Sequence, residues 1–384
     1  MLSVYMQKYF NRRQLIKFFL KIGLSLFTFS FGAKNILKKR VLYQSMKTIK
    51  QITDLPRSGT WPTIDPFLFC VHHNDKYPKA TKNFTPDASF GGRNLGNDFS
   101  NAEGWSMYHG ESVPGFPKHP HRGFETLTVI NKGIIDHSDS LGATARFGDG
   151  DAQWLTAGDG INHSEMFPLF NEQSNNILDF FQIWINLPSY NKRVEPNFQM
   201  YWNKQIPKIN VKDKKGIISC VELISGKFEG KESQAAPPNS WANDINNHFA
   251  VWIIHLKSQG SFLIPKAIQG INRSLYILKN TNIHLNDDSI NPHSMVDLFS
   301  EQNVILKNNG HDTRILMLQG RPINEPIERY GPFVMNTRSE IREAFYDYNR
   351  TEFGGWKWSN SGPIHGKYKG RFAKLANGDI DKPA

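Results

Sequence analysis

The chain is poor in cysteine: Cys70 and Cys220 are the only two among 384 residues. Two thiols are too few for a disulfide-stapled scaffold or a structural zinc cluster. Both lie in apolar, strand-like runs and read as buried free thiols. Long apolar runs are missing too. The unbroken apolar part of the N-terminal segment, Ile22 to Ala33, is twelve residues, too short to span a bilayer. Net positive charge is small outside the leader. The formal net charge is +11, but residues 1–40 carry nine basic side chains and no acid, which leaves +2 over the other 344 residues. A nucleic-acid-binding face is therefore not expected. The whole chain is 39% hydrophobic and 21% charged, with 27 Phe, 12 Tyr and 9 Trp. That composition excludes a disordered chain and a multi-span membrane protein, and it suits sheet-rich packing.

The leader has a pattern of its own. Arg12-Arg13 is followed by Leu15, Ile16 and Lys17, then by an apolar run that closes on Gly32 and Ala33. A basic region, a short apolar region and small residues describe an export signal, and the paired arginines resemble the twin-arginine type. Residues 1–33 are expected to direct the protein to the periplasm, folded as it crosses, with no transmembrane span in the mature form. The alternatives are an uncleaved anchor or an extension of a cytoplasmic protein. Residues 34–60, polar and basic with Pro56 and Ser58-Gly59, read as a linker.

From about residue 61 the chain is a succession of short strand-favouring runs divided by Gly, Pro, Asn and Asp. Examples are Thr126–Ile130, Phe180–Ile185, Ile217–Ile224 and Ala250–Leu256. Close spacing with turn residues between argues an all-β barrel or sandwich rather than βαβ units. Two halves, 61–195 and 196–350, suggest two antiparallel barrels in one chain, with a tail over 351–384. One helix is predicted near the end: Thr337 and Glu340 can form a capping box, and Ile341, Ala344, Phe345 and Tyr348 recur at helical spacing.

The chemistry concentrates between residues 115 and 165. His119-Pro120-His121 puts two imidazoles on one face of an extended strand. Parity continues to Glu125. His163-Ser164-Glu165 supplies a second same-face pair, and the glycine-rich stretches Gly148–Asp151 and Gly158–Gly160 can return the chain beside the first strand. Three histidines and one carboxylate, Glu165 or Glu125, can enclose one divalent transition metal with positions left open. Imidazole and carboxylate donors suit Fe, Mn, Co, Ni, Cu or Zn. Glu125 has an alternative role, as a buried carboxylate bonded to a ligand histidine or to Arg122. His72-His73 is expected at a strand end or loop. Trp105, Met107, Tyr108 and Phe116 are candidates for the cavity entrance or for plain core.

Lys118-His119-Pro120-His121-Arg122-Gly123-Phe124-Glu125-Thr126 resembles the signature of the pirin family within the cupin superfamily. Gly150–Gly158 and Gly160–Glu165 resemble its second metal motif, Gln182–Pro188 its following strand, and Tyr330–Thr337 its C-terminal segment. The resemblance covers about residues 62–350. It implies a bicupin of jelly-roll type: metal in the N-terminal barrel on His119, His121, His163 and Glu165, most simply Fe, and a metal-free second barrel despite His248, His255, His284, His293 and His311. Glu125 matches a glutamate that general cupins use as a ligand and pirins leave unligated. The resemblance further implies quercetin 2,3-dioxygenase chemistry on a flavonol and O2; that chemistry needs a proton acceptor for the 3-hydroxyl, a catalytic role expected of Glu165, and a monomer is expected. A different implication of the same resemblance is a non-enzymatic, metal- and redox-sensing regulator.

Overall fold

A computed structural model describes residues 48–278 and 282–383. The expected export signal, 1–33, lies outside the described residues. Two antiparallel β-barrels account for most of the chain, as the bicupin reading requires. In the N-terminal barrel a five-stranded sheet runs in the order Asn197–Tyr201, Ala152–Thr156, Phe124–Lys132, Asn176–Asn186, Phe67–Tyr77. Its facing sheet has the order Ile380–Asp381, Phe372–Lys374, Thr144–Gly148, Ile134–Asp139, Ile161–Met166, Gly115–His121. The C-terminal barrel pairs a seven-stranded sheet with a four-stranded one.

Strands such as Phe124–Lys132 are buried on both faces because both faces are covered. Leu127 and Val129 point outward into a cluster shared with Ile224, Phe249, Val251, Ile253 and Leu316 of the other barrel. Ile130 points inward with Leu155, Phe147 and Phe180. The two barrels are therefore joined by an apolar seam in which large side chains such as Trp154 and Phe181 are buried. Each large apolar side chain buried there stabilises by about 1.5–3 kcal/mol. Polar ties flank the seam: Asp179 of the N-terminal barrel accepts from Arg314 of the C-terminal barrel, from Asn131 at 2.9 Å and contacts His72 at 2.9 Å.

The domain limits expected from sequence need three corrections. Within the expected linker, Ile49–Asp54 is an edge strand of the C-terminal barrel, paired with Ser294–Phe299. Asn197–Tyr201 pairs with Ala152–Thr156 and so belongs to the N-terminal barrel, which moves that boundary past residue 201. The expected tail returns to the N-terminal barrel, where Phe372–Lys374 pairs with Thr144–Gly148. All three segments satisfy an open sheet edge far away in sequence, and local composition carries no record of which edge. The helix is as expected. It spans Arg338–Thr351, Thr337 Oγ1 accepts from the Glu340 N–H, and Ile341 and Ala344 are buried.

Candidate metal centre

The centre is built on the inner face of the sheet Gly115–His121, Ile161–Met166, Ile134–Asp139. His119 pairs directly with His163, and Phe116 pairs with Glu165, so the first strand holds one extra residue between Phe116 and His119. This bulge turns Pro117 and Lys118 away. It leaves His119 and His121 facing inward, with ring centroids 4.8 Å apart. One ligating nitrogen from each of His119, His121 and His163 falls within 4.8 Å of the others, the one such cluster of possible metal ligands among the described residues.

Burial pushes all three imidazoles below their ordinary range, His119 to about 4, so each is neutral with a lone pair to offer. Their outer bonds set which nitrogen faces in. His119 Nδ1 donates to the Pro117 carbonyl at 2.9 Å, and His121 Nδ1 to the Pro332 carbonyl at 3.4 Å. Both bonds leave Nε2 free for a ligand. His163 is wholly buried, and neither of its ring nitrogens has a hydrogen-bond partner. Leaving a buried polar atom unpaired costs about 1–3 kcal/mol, and a metal ion on Nε2 would satisfy it. The residues present fit a transition metal.

Glu165 is beside this triad. Its Oε2 lies 4.0 Å from His163 Nε2 and accepts from Gln182 Nε2 at 2.7 Å, while Oε1 accepts from Thr128 at 3.3 Å. Burial raises its pKa, opposed by Gln182, His137 and Thr128. Rings border the centre: Phe116 is 6.1 Å from His119, and Phe124 and Trp184 are each 5.1 Å from His121, centroid to centroid.

Glu125 is elsewhere, and the parity argument that placed it here fails for a definite reason. The strand ends at His121, and Gly123, at φ +85°, turns the chain into the opposite sheet. A Cβ at Gly123 would sit 2.0 Å from the Val334 carbonyl, so glycine is required. Beyond that turn Glu125 faces the second barrel, accepting from Thr156 at 2.7 Å and Ser240 at 2.6 Å. It is buried, as its alternative role supposed, but Arg122 instead bonds Asp347 and the Asp159 carbonyl.

Other expectations resolve as follows. His72 and His73 lie inside the strand Phe67–Tyr77, not at its end. His72 points to Asp179 at the seam, and His73 points inward, stacked on Phe180. Trp105, Met107 and Tyr108 are core, and Phe116 is half-buried at the centre. Both cysteines are free, Cys70 buried as expected and Cys220 only half-buried. The interior of the second barrel is aliphatic and aromatic, and its five histidines are half-buried or exposed. Sequence reasoning missed His137, Gln182 and Thr128. His137 was legible in principle: His137-Ser138-Asp139 is another alternating pair, and it pairs with Glu165 and His163.

Comparison with known proteins agrees with this geometry. The Pirin family matches residues 48–185, and the Pirin C-terminal cupin domain matches residues 251–354. Pirin-1 of Arabidopsis thaliana is 36% identical over 248 residues, covering 62% of this chain and 78% of its own. A Pseudomonas aeruginosa protein provisionally named a quercetin 2,3-dioxygenase is 32% identical over 239 residues, covering 62% of this chain and 79% of its own. The crystal structure of quercetin 2,3-dioxygenase from Acinetobacter baumannii superposes with a TM-score of 0.64 at 26% identity, covering 81% of this chain and 99% of that one. With the signature histidines converging in the first of two cupin barrels, this chain belongs to the pirin family.

Proposed function

We propose that the protein is a metal-dependent dioxygenase of the quercetin 2,3-dioxygenase type. His119, His121 and His163 hold one divalent transition metal, iron by preference, and Glu165 is a weak fourth ligand. The observation that carries this reading is the unpaired, fully buried His163 between two imidazoles whose Nε2 atoms are left free. Likeness to the Pseudomonas aeruginosa and Acinetobacter baumannii proteins supports the reaction class. Bound there, a redox-active metal supplies a Lewis-acid seat for a flavonol oxygen beside O2. The overall reaction opens the flavonol ring, places both atoms of O2 in the product ester and releases carbon monoxide.

The chain's own residues have three tasks. Glu165 takes the proton of the flavonol 3-hydroxyl, a role suited to a buried carboxylate with raised proton affinity. Gln182 and Thr128 hold that carboxylate in place while it is free of the metal. Phe116, Phe124 and Trp184 exclude water and offer flat apolar walls to a flat aromatic substrate. The test is an aerobic assay with quercetin on protein of measured metal content, scored by loss of flavonol absorbance and release of carbon monoxide. Absence of turnover with Fe, Mn, Co, Ni and Cu alike would replace this reading with a metal-dependent interaction protein.

A further inference from the structure

The matched Pirin C-terminal cupin domain ends at residue 354, yet the described chain continues to residue 383. That continuation, with Glu352 just before it, runs back across the outer face of the sheet whose inner face carries the histidines. Several of its contacts flank one row. In the sheet, His119, His163 and Asp139 are register partners on three adjacent strands. The Lys118 N–H donates to the Ser361 carbonyl at 2.6 Å, and Lys118 Nζ to Glu352 at 2.7 Å. Asn162 Nδ2 donates to the Glu352 and Gly355 carbonyls. Trp358 Nε1 donates to the Asp139 carbonyl at 2.9 Å. Lys118 and Asn162 each precede a ligand histidine, so the segment grips from outside the backbone that presents His119 and His163 inside. Farther along, Arg146 donates to the His365, Gly366 and Lys369 carbonyls, and Asp381 accepts from Trp202 at 2.9 Å.

We propose that residues 352–374 are a positioning strap for the metal ligands, fixing the spacing of His119 and His163 from the outer face of their sheet. This rests on the reading that the triad binds a metal. The physical ground is that strands are held at one spacing by partners on both faces. A ligand pair aligned before the ion arrives spends none of the binding free energy on ordering. Asn162 bonds the Glu352 and Gly355 carbonyls and no ligand side chain, so it acts through the strap, one step further out than a residue that bonds a metal ligand directly.

The experiment titrates the metal-free full-length protein with Co²⁺, reading the dissociation constant and the visible absorption at saturation, beside the thermal midpoint of the metal-free form. Asn162→Ala and Trp358→Phe remove donors over the ligand row. Asp381→Ala loosens the C-terminal end beyond the strap, away from the ligand row, and serves as the control. The expected result is a dissociation constant raised roughly 10–100-fold in Asn162→Ala, less in Trp358→Phe, with an altered visible band. Asp381→Ala should stay within about twofold of wild type whatever its thermal midpoint. A strap that only stabilises the fold predicts the reverse: lowered midpoints in all three variants, with unchanged affinity and spectrum. That result overturns the proposal. Should Asn162→Ala not fold, Trp358→Phe against Asp381→Ala makes the same comparison. A wild-type protein that binds no Co²⁺ overturns the metal reading itself, and that outcome is distinguishable from failure of the strap alone.

Discussion

Glu125 and Thr128 are three residues apart on one strand and point to opposite faces of it. Thr128 Oγ1 donates into the N-terminal barrel, to Glu165. Glu125 faces out of it and accepts a 2.6 Å bond from Ser240 of the second barrel. The odd spacing separates the two carboxylates by function: Glu165 serves the centre, and Glu125 ties the two barrels together.

Removal of one imidazole tests the ligand set. His121→Ala is expected to keep the fold, because Phe124, Trp184 and Val334 pack together beside it, and to lose most of the bound metal. Elemental analysis of the purified variant beside wild type reads this directly. Full metal occupancy would show that the ligands lie elsewhere.

Glu165→Gln separates holding the metal from using it. The amide keeps the shape, and it can still accept from Gln182 or Thr128, but it has lost its basicity. A substantial fraction of the metal should remain while turnover of a flavonol falls on the order of 10²-fold or more. Metal content and rate measured on one preparation decide it; activity that falls only in proportion to metal makes Glu165 a ligand and nothing else.

Glu125 predicts a pH dependence of stability. Burial pushes its pKa up from 4.5 to about 7, with the Ser240 and Thr156 bonds opposing the rise. The folded protein therefore keeps this proton over a range where the unfolded chain has lost it. That contribution is complete below the ordinary carboxyl value and is lost as pH climbs towards 7, on the order of 3 kcal/mol in all. Glu125→Gln carries no such term, so its stability should gain on wild type between about pH 5 and about pH 8. Urea unfolding of both proteins across that interval measures it, and parallel curves would contradict it.

Export is tested on the leader alone. Replacing Arg12 and Arg13 with lysine should retain the protein in the cytoplasm if the paired arginines direct it to the periplasm. An unchanged distribution after fractionation, or a cytoplasmic wild type that still begins at Met1, excludes the twin-arginine route.

Much of this was written locally in the chain. Alternation in His119-Pro120-His121 and His163-Ser164-Glu165 is a two-residue matter, and both pairs, one of two histidines and one of a histidine and a glutamate, point inward as strand geometry requires. The capping box at Thr337 and Glu340 is local as well, and it formed. Short runs divided by turn residues were enough to announce two β-barrels. Tertiary structure decided what depends on partners distant in sequence. The turn at Gly123 sent Glu125 to the other face, because the Val334 carbonyl, over two hundred residues on, occupies the space beside it. Pro332 orients His121, Ser240 claims Glu125, and the C-terminal segment covers Lys118 and Asn162. Strand periodicity names the face on which a side chain lies, whereas the element that meets that face is chosen by edge pairing and close packing across the whole chain.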